Sequence, residues 1–310
     1  MKIFLSPQLQ HGPKSPFSLE DKETYLAWRT KKLANYSAHL QNLIVSIKDP
    51  YHLTEQEYAE ILIRCSQTNL AIYQIATDQQ VDKPALHALA AQFGLCKLDH
   101  NLCADEDGIA ALQVAPKGRS QEYIPYTNRP INWHTDGYYN TPTEQVQAIL
   151  MHCARPALTG GKNGFLDHEI AYIQLRDENP DYIAALMAAD VMTIPANVED
   201  GIEVRPAQTG PVFSVNPQTG ALHMRYTART RSIVWKQNPT TLAALDCLTG
   251  FLTSDSPYIL WHQLAPNQGV LCNNILHNRT GFTDGYEPSE QRLLYRMRFY
   301  NRIKDTIHIG

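Results

Sequence analysis

The sequence predicts a mainly β chain with α elements: a double-sheet barrel or jelly-roll core, preceded by a mostly helical region and interrupted by helical insertions. Three observations predict it. From about residue 109 the chain breaks into short β-like runs divided by Gly, Pro and Asn, with few helical patterns between them. Helical stripes dominate the first hundred residues. Neither a GxGxxG nor a Walker pattern is present to favour an alternating βαβ fold. At 310 residues the chain has room for one large domain or two small ones. The texture change sets the expected division at 1–108, a helical region packing on the core, and 109–310, the core itself.

In the first part, Ser18 and Asp21 form a capping-box pattern before a helix, and Leu33, Tyr36, Leu40, Leu43, Ile44 and Ile47 continue as one apolar stripe. Thr54 and Glu57 repeat the cap ahead of Tyr58, Ile61, Leu62 and Cys65. Pro84 opens a third helix whose stripe is Leu86, Leu89, Ala90 and Phe93, and Gly94 supplies the stop. Beyond it, strands are expected at 109–115, 146–153, 211–215, 222–227, 270–275 and 292–300. Two helical interruptions are expected at 167–189, broken near Pro180, and at 240–252.

Composition narrows the function classes. Hydrophobic residues make up 43% and charged residues 19%, an ordinary globular mixture. The net charge of −4 argues against a protein that coats nucleic acid or an anionic membrane. No apolar run approaches the ~20 residues of a membrane span. The run from Met1 to Pro7 is too short in apolar residues for a secretory signal. Cys65, Cys96, Cys103, Cys153, Cys247 and Cys272 form no CxxC pair, which points to reduced thiols and a cytoplasmic setting.

Three features carry chemistry. The first is His134-Thr135-Asp136: on a strand, positions i and i+2 face the same side and present an imidazole and a carboxylate together. Chance alone supplies about one such pair in a chain with 12 His and 31 acidic residues, so a strand-end histidine bonded to a turn aspartate explains it equally well. The second is the apolar run from Val270 to Leu276 that ends in His277. Two histidines and one carboxylate on one face match the triad of non-haem Fe(II) oxygenases. The third is the alternation from Arg292 to Phe299. It puts Arg292, Leu294, Arg296 and Arg298 on one face and Leu293, Tyr295, Met297 and Phe299 on the other. If the charged face is internal it demands anionic partners, since unpaired buried guanidinium is costly. A half-buried outer strand with solvated arginines is the alternative.

Taken in order, Trp133-His134-Thr135-Asp136, Thr159 to Asp167, Asn274 to Arg279 and Arg292 to Arg296 resemble the taurine dioxygenase superfamily of Fe(II)/2-oxoglutarate-dependent oxygenases. The layout is nearest to the γ-butyrobetaine hydroxylase-like branch and covers roughly residues 110–303. The resemblance implies a double-stranded β-helix oxygenase domain over 109–310, with Fe(II), 2-oxoglutarate as co-substrate and O2. It implies that His134, Asp136 and His277 hold the iron. It also implies that Arg292 clamps the distal carboxylate of 2-oxoglutarate, with Asn163 beside it. Arg296, Arg298 and Tyr126 fall at substrate positions. Tyr126 matches one wall of an aromatic cage, but Arg298 stands near the expected second wall, which sets this chain apart from trimethylammonium binders.

The expected reaction is dioxygenation of a small anionic or zwitterionic metabolite: an amino acid, a carboxylate or a sulfonate. The expected partners are that small molecule and further copies of the chain in a homo-oligomer, with no nucleic acid and no membrane. A divalent-metal hydrolase using the same triad, or a non-catalytic jelly-roll protein that binds a small ligand, are the competing readings. Arg292 separates them, because a hydrolase needs no dicarboxylate clamp.

Overall fold

The computed structural model describes residues 15–99, 107–115, 123–231 and 233–306. The Met1–Pro7 segment and Cys103 lie outside the described residues. The first helix, α1 (Lys22–Leu33), is capped by the Asp21 side chain, which accepts from Thr24 N at 2.9 Å. The capping box expected at Ser18 is therefore displaced: Asp21 is the cap itself, not the third helical residue. The expected single stripe from Leu33 to Ile47 is also divided. Asn35 turns left-handed at φ 59° and separates α2 (Tyr36–Gln41), and the next run becomes strand β1 (Ile44–Ile47). Over so short a span, apolar spacing fits either period, and β-branched residues with a partner strand decide for the sheet.

The cap at Thr54 forms as expected. Its hydroxyl accepts from Glu57 N while Glu57 reaches back to Thr54 N, opening α3 (Glu55–Thr68). Strand β2 (Leu70–Ile75) follows and pairs with β1 in parallel. Helix α4 (Lys83–Gln92) carries Pro84 in its first turn. Strands β3 (Ala110–Leu112), β4 (Ile131–His134), β5 (Ala148–Arg155), β6 (Thr159–Gly160) and β7 (Asn163–Leu166) precede α5 (His168–Glu178) and α6 (Pro180–Leu186). The break between those two helices falls at Asn179-Pro180, as the sequence predicts. Short strands follow: β8 (Met192–Ile194), β9 (Asn197–Glu199), β10 (Ile202–Arg205), β11 (Gln208–Gly210), β12 (Phe213–Val215), β13 (Leu222–Met224) and β14 (Val234–Trp235). Helix α7 (Pro239–Thr253) leads to β15 (Leu260–His262), β16 (Gln268–Cys272), β17 (Leu276–Arg279), β18 (Phe282–Thr283) and β19 (Leu293–Phe299).

Two sheets position the site. The larger runs β1-β2-β16-β5-β19-β3 and the smaller β15-β7-β17-β4. The first hundred residues are thus not purely helical, because β1 and β2 extend the main sheet. On one face of that sheet, Met297, Phe299, Leu150 and Tyr73 pack with Ile61 of α3, Leu86 and Leu89 of α4, and Phe93 just beyond it. On the other, Leu294, Met151, Ile149 and Val270 meet Phe165 of β7, so the smaller sheet closes over them. A third cluster joins Leu276 and Trp133 of the smaller sheet to α5, α6 and α7. No helix among the described residues is long and apolar enough to cross a membrane.

Two core histidines set an acid limit on this packing. His152 stacks on Tyr73 at 5.9 Å, and His168 meets the Leu222 carbonyl at 3.1 Å. Burial pushes their imidazoles down to about 4 and about 3 respectively, against 6.5 when unfolded. Both are therefore neutral in the fold, and the unfolded chain gains protons first. Their contribution is complete above pH 6.5 and is lost as pH falls toward 4. The urea midpoint should accordingly drop between pH 7 and pH 5, before carboxylates titrate. His152→Leu should flatten that drop, and an unchanged pH profile in the variant would remove His152 from it.

Candidate metal centre and active site

His134 ends β4 and His277 lies directly opposite it on β17, since the antiparallel register pairs the two residues. Their rings stand 4.3 Å apart between centroids. Nδ1 of His134 lies 2.8 Å from the Asn132 carbonyl, and Nδ1 of His277 lies 3.0 Å from the Ile275 carbonyl. A carbonyl only accepts, so each Nδ1 carries the hydrogen and each Nε2 keeps its lone pair free. Burial, reinforced by the neighbouring His134, lowers the His277 imidazole to about 4 and leaves it neutral at pH 7.

Asp136 arrives just beyond the strand, held by a side chain. Asn274, at a left-handed φ of 45°, accepts from Asp136 N at 2.8 Å and donates to Asp136 O at 2.9 Å and Val146 O at 2.6 Å. An amide here replaces strand pairing where the ladder has ended. Gly137 turns the chain away at φ 66°, and a Cβ there would sit 2.5 Å from the Val146 side chain. Asp136 Oδ1 then stands 3.6 Å from His134 Nε2, and one ligand atom from each of His134, Asp136 and His277 falls within 4.8 Å of the others. Burial raises the Asp136 carboxyl, but Arg296, His134 and His277 outweigh it and hold the group well below the usual range. Its Oδ2 is buried without a hydrogen bond, although Arg296 Nη1 stands 3.2 Å away. A neutral His277, an ionised Asp136 carboxylate and the Nε2 atom of His134 on one side of a site suit a first-row divalent ion.

The charged face of β19 is internal. Arg292, Arg296 and Arg298 are 4%, 9% and 3% exposed, which overturns the solvated-strand alternative. Their partners differ. Arg298 pairs with Asp99 at 2.5 Å and donates to Tyr139 Oη at 2.8 Å, and Arg296 reaches Asp136. The Arg292 guanidinium has no carboxylate and no hydrogen-bond partner among the described residues. Its backbone N is held by Asp284 Oδ1 at 2.9 Å and its plane lies 5.0 Å from the Phe282 ring centroid. Burial pushes it down to about 10. It lines a cleft of about 220 Å³ with Asn163, Gly161, Cys153, Leu264 and Leu294. Asn163 is buried and donates to the Asn278 carbonyl at 2.8 Å. Tyr126, in a short 3-10 turn, packs into the cluster that holds Phe165 and Leu294.

Residues 38–298 match the model of the taurine catabolism dioxygenase TauD, TfdA family. The chain belongs to that family. A uridine-5'-phosphate dioxygenase of Amycolatopsis sp is 30% identical over 169 residues, covering 53% of this chain and 58% of the relative. A trimethyllysine dioxygenase of Meyerozyma guilliermondii is 28% identical over 172 residues, covering 53% of this chain and 42% of the relative. The chain thus spans about half the length of these curated relatives. Among solved structures, AAD-2 in complex with Mn(II) and N-oxalylglycine superposes with a TM-score of 0.59 at 16% identity, covering 84% and 96% of the two chains. Asparagine oxygenase in complex with Fe(II), 3-hydroxyasparagine and succinate gives 0.57 at 14% identity, covering 80% and 81%.

Sequence reasoning assigned no role to Asn274, Asp99 or Phe282, and read Tyr139 only as an apolar wall for a substrate's carbon chain, not as a partner of Arg298. None carries a local signal, since each acts through a partner more than a hundred residues away or through a ring contact. Asn274→Ala should weaken divalent-metal binding about 10- to 100-fold by releasing Asp136. Mn(II) titration followed by electron paramagnetic resonance reads this directly, and wild-type affinity in the variant would show that Asp136 is held by other means.

Proposed function

We propose that the chain is an Fe(II)/2-oxoglutarate-dependent dioxygenase that hydroxylates a small anionic or zwitterionic metabolite. In this reading its core over 109–310 is a double-stranded β-helix (jelly roll) on which residues 1–108 pack. The observation that carries the reading is a conjunction: three metal-competent side chains within 4.8 Å of one another, and a buried Arg292 fork with no acid of its own. A hydrolase accounts for the first alone, and a binding module does not need two imidazoles tied at Nδ1. The dioxygenase names of two relatives, and the Mn(II) and N-oxalylglycine in one structural neighbour, support the same reading.

His134, Asp136 and His277 would hold Fe(II) through their free Nε2 atoms and a carboxylate oxygen. When bound, the ion would supply the oxidative chemistry, using O2 and 2-oxoglutarate to hydroxylate the substrate and release succinate and CO2. The Arg292 fork receives the distal carboxylate of 2-oxoglutarate, a bidentate contact that also relieves an uncompensated buried charge. Asn163 gives its cleft a polar wall, and Phe282 keeps the guanidinium plane from turning. Arg296 neutralises Asp136 until an ion takes that carboxylate, after which its fork is free for a substrate anion. Arg298 is already engaged by Asp99 and Tyr139, so it holds the wall, and an anion could reach it only by displacing that pair. Tyr126 and Tyr138 are buried near these groups and exclude water from them.

Succinate release should require Fe(II), 2-oxoglutarate, O2 and a substrate drawn from a library of small acids. Metal-dependent hydrolysis without succinate would establish the hydrolase instead. Arg292→Met should raise the 2-oxoglutarate Kd by about 30-fold or more, equivalent to ~2 kcal/mol, while Mn(II) affinity is unchanged. Unchanged 2-oxoglutarate affinity would move the clamp to another residue.

A further inference from the structure

The dioxygenase reading leaves Arg205, Arg225 and Arg229, beside the Tyr138–Tyr139 pair that follows the triad, without a task. Tyr138 and Tyr139 follow Asp136 and Gly137, and their rings meet edge to face at 5.2 Å and 81°. Guanidinium groups face both rings: Arg229 lies 5.9 Å from the Tyr138 centroid, and Arg205 and Arg298 lie 5.6 Å and 5.8 Å from that of Tyr139. Arg225 joins from beneath, donating to the carbonyls of Tyr138 at 2.6 Å and Gln208 at 2.8 Å. The group is tied to the triad through the backbone. Thr227 bridges His134, and Ala228 N donates to the Trp133 carbonyl at 2.8 Å.

The charge on this wall is unbalanced. None of Arg205, Arg225 and Arg229 has a carboxylate within 4.0 Å among the described residues. Asp99 is closed by Arg298 at 2.5 Å and by the Tyr300 hydroxyl at 2.8 Å, and on the β9–β10 hairpin Glu199 accepts from Asn197 and the Tyr123 hydroxyl. Arg225 spends its hydrogens on carbonyls and contributes charge alone. Arg205 is half-buried, stands over Tyr139 and donates to the Pro195 and Pro206 carbonyls, and Arg229 is exposed, so both forks can meet an incoming ligand. Three guanidinium charges with no acid at ion-pair distance among the described residues exceed what one carboxylate or sulfonate neutralises. A phosphate monoester brings close to two charges and three acceptor oxygens, enough for two forks at once.

Resting on the dioxygenase reading, we propose that Arg205 and Arg229 form an anion subsite for a substrate that carries a phosphate monoester. The organic part of that substrate lies against Tyr138 and Tyr139, which places a carbon of it toward the triad. Arg225 is a positioning residue that holds the Tyr138 backbone and adds to the field. Arg205 reaches the site from β10, so the β9–β10 hairpin is the element that brings the second fork to the anion.

The test is equilibrium binding to the full chain, with and without Mn(II) and 2-oxoglutarate. The probes are uridine 5'-monophosphate against uridine and glycerol 3-phosphate against glycerol. At least one ester should bind about tenfold or more tightly than its partner, and preference for the nucleotide over glycerol 3-phosphate reads the aromatic wall. In Arg205→Met/Arg229→Met that advantage should fall below about threefold, with the 2-oxoglutarate Kd within about twofold of wild type. Both side chains reach solvent, so the variant keeps its core, which thermal unfolding checks. An ester with no advantage in the wild-type chain, or an advantage that survives in the double variant, would overturn the subsite. Failure of wild-type chain to bind Mn(II) and 2-oxoglutarate would count against the dioxygenase reading, while ester discrimination in the unloaded chain still decides the subsite.

Discussion

The pairing of His277 with His134 across β17 and β4 is the constraint on which the site depends. Directly opposed residues in an antiparallel pair present their side chains on one face, a few ångströms apart. Two imidazoles are thus brought together by sheet register before any ligand is considered. Register is in turn held by burial: slipping β17 by one residue would turn His277 out and Leu276 in. Leu276 is fully buried against the α5–α7 side, so that slip is opposed by the packing of the whole layer.

The carboxylate is supplied differently, and the difference has a physical reason. β4 ends at His134, leaving Asp136 without ladder hydrogen bonds. Asn274 replaces them with its side chain, while Gly137 allows the turn that a Cβ would block against Val146. Around this arrangement the β19 arginines differ in their partners: Arg298 has Asp99, Arg296 has Asp136, and Arg292 has no carboxylate at ion-pair distance among the described residues, only the field of Asp284. A buried fork without an acid is costly in the free protein and becomes favourable only with an anionic ligand. An anionic ligand at Arg292 would meet that electrostatic demand.

Much of this was legible in the sequence where a local rule applied. The Thr54 cap, Pro84, Gly94, the break at Pro180 and the period-two alternation of β19 each depend on neighbours in sequence. The alternation even separated the arginine face from Met297 and Phe299, which now lie on opposite sides of the main sheet. The division of the Leu33–Ile47 stripe was not legible. Asn35 carries no breaking signal as strong as Pro, and β1 exists because β2 is available to pair with it. The triad was legible as residue types in order, but its geometry needed Asn274, whose partner lies 138 residues away. The partners Asp99 and Tyr139 of Arg298 were likewise invisible, since ion-pair choice is a property of the folded interior.

The central claim is that the folded chain offers one metal site made of His134, Asp136 and His277. Anomalous diffraction from crystals of the chain grown with Mn(II) and 2-oxoglutarate measures this most directly. The account predicts a single strong peak within about 2.0–2.3 Å of His134 Nε2, His277 Nε2 and one Asp136 oxygen. It also predicts the far carboxylate of 2-oxoglutarate on Arg292. A metal bound elsewhere, or Asp136 still paired with Arg296 and carrying no metal, would contradict it.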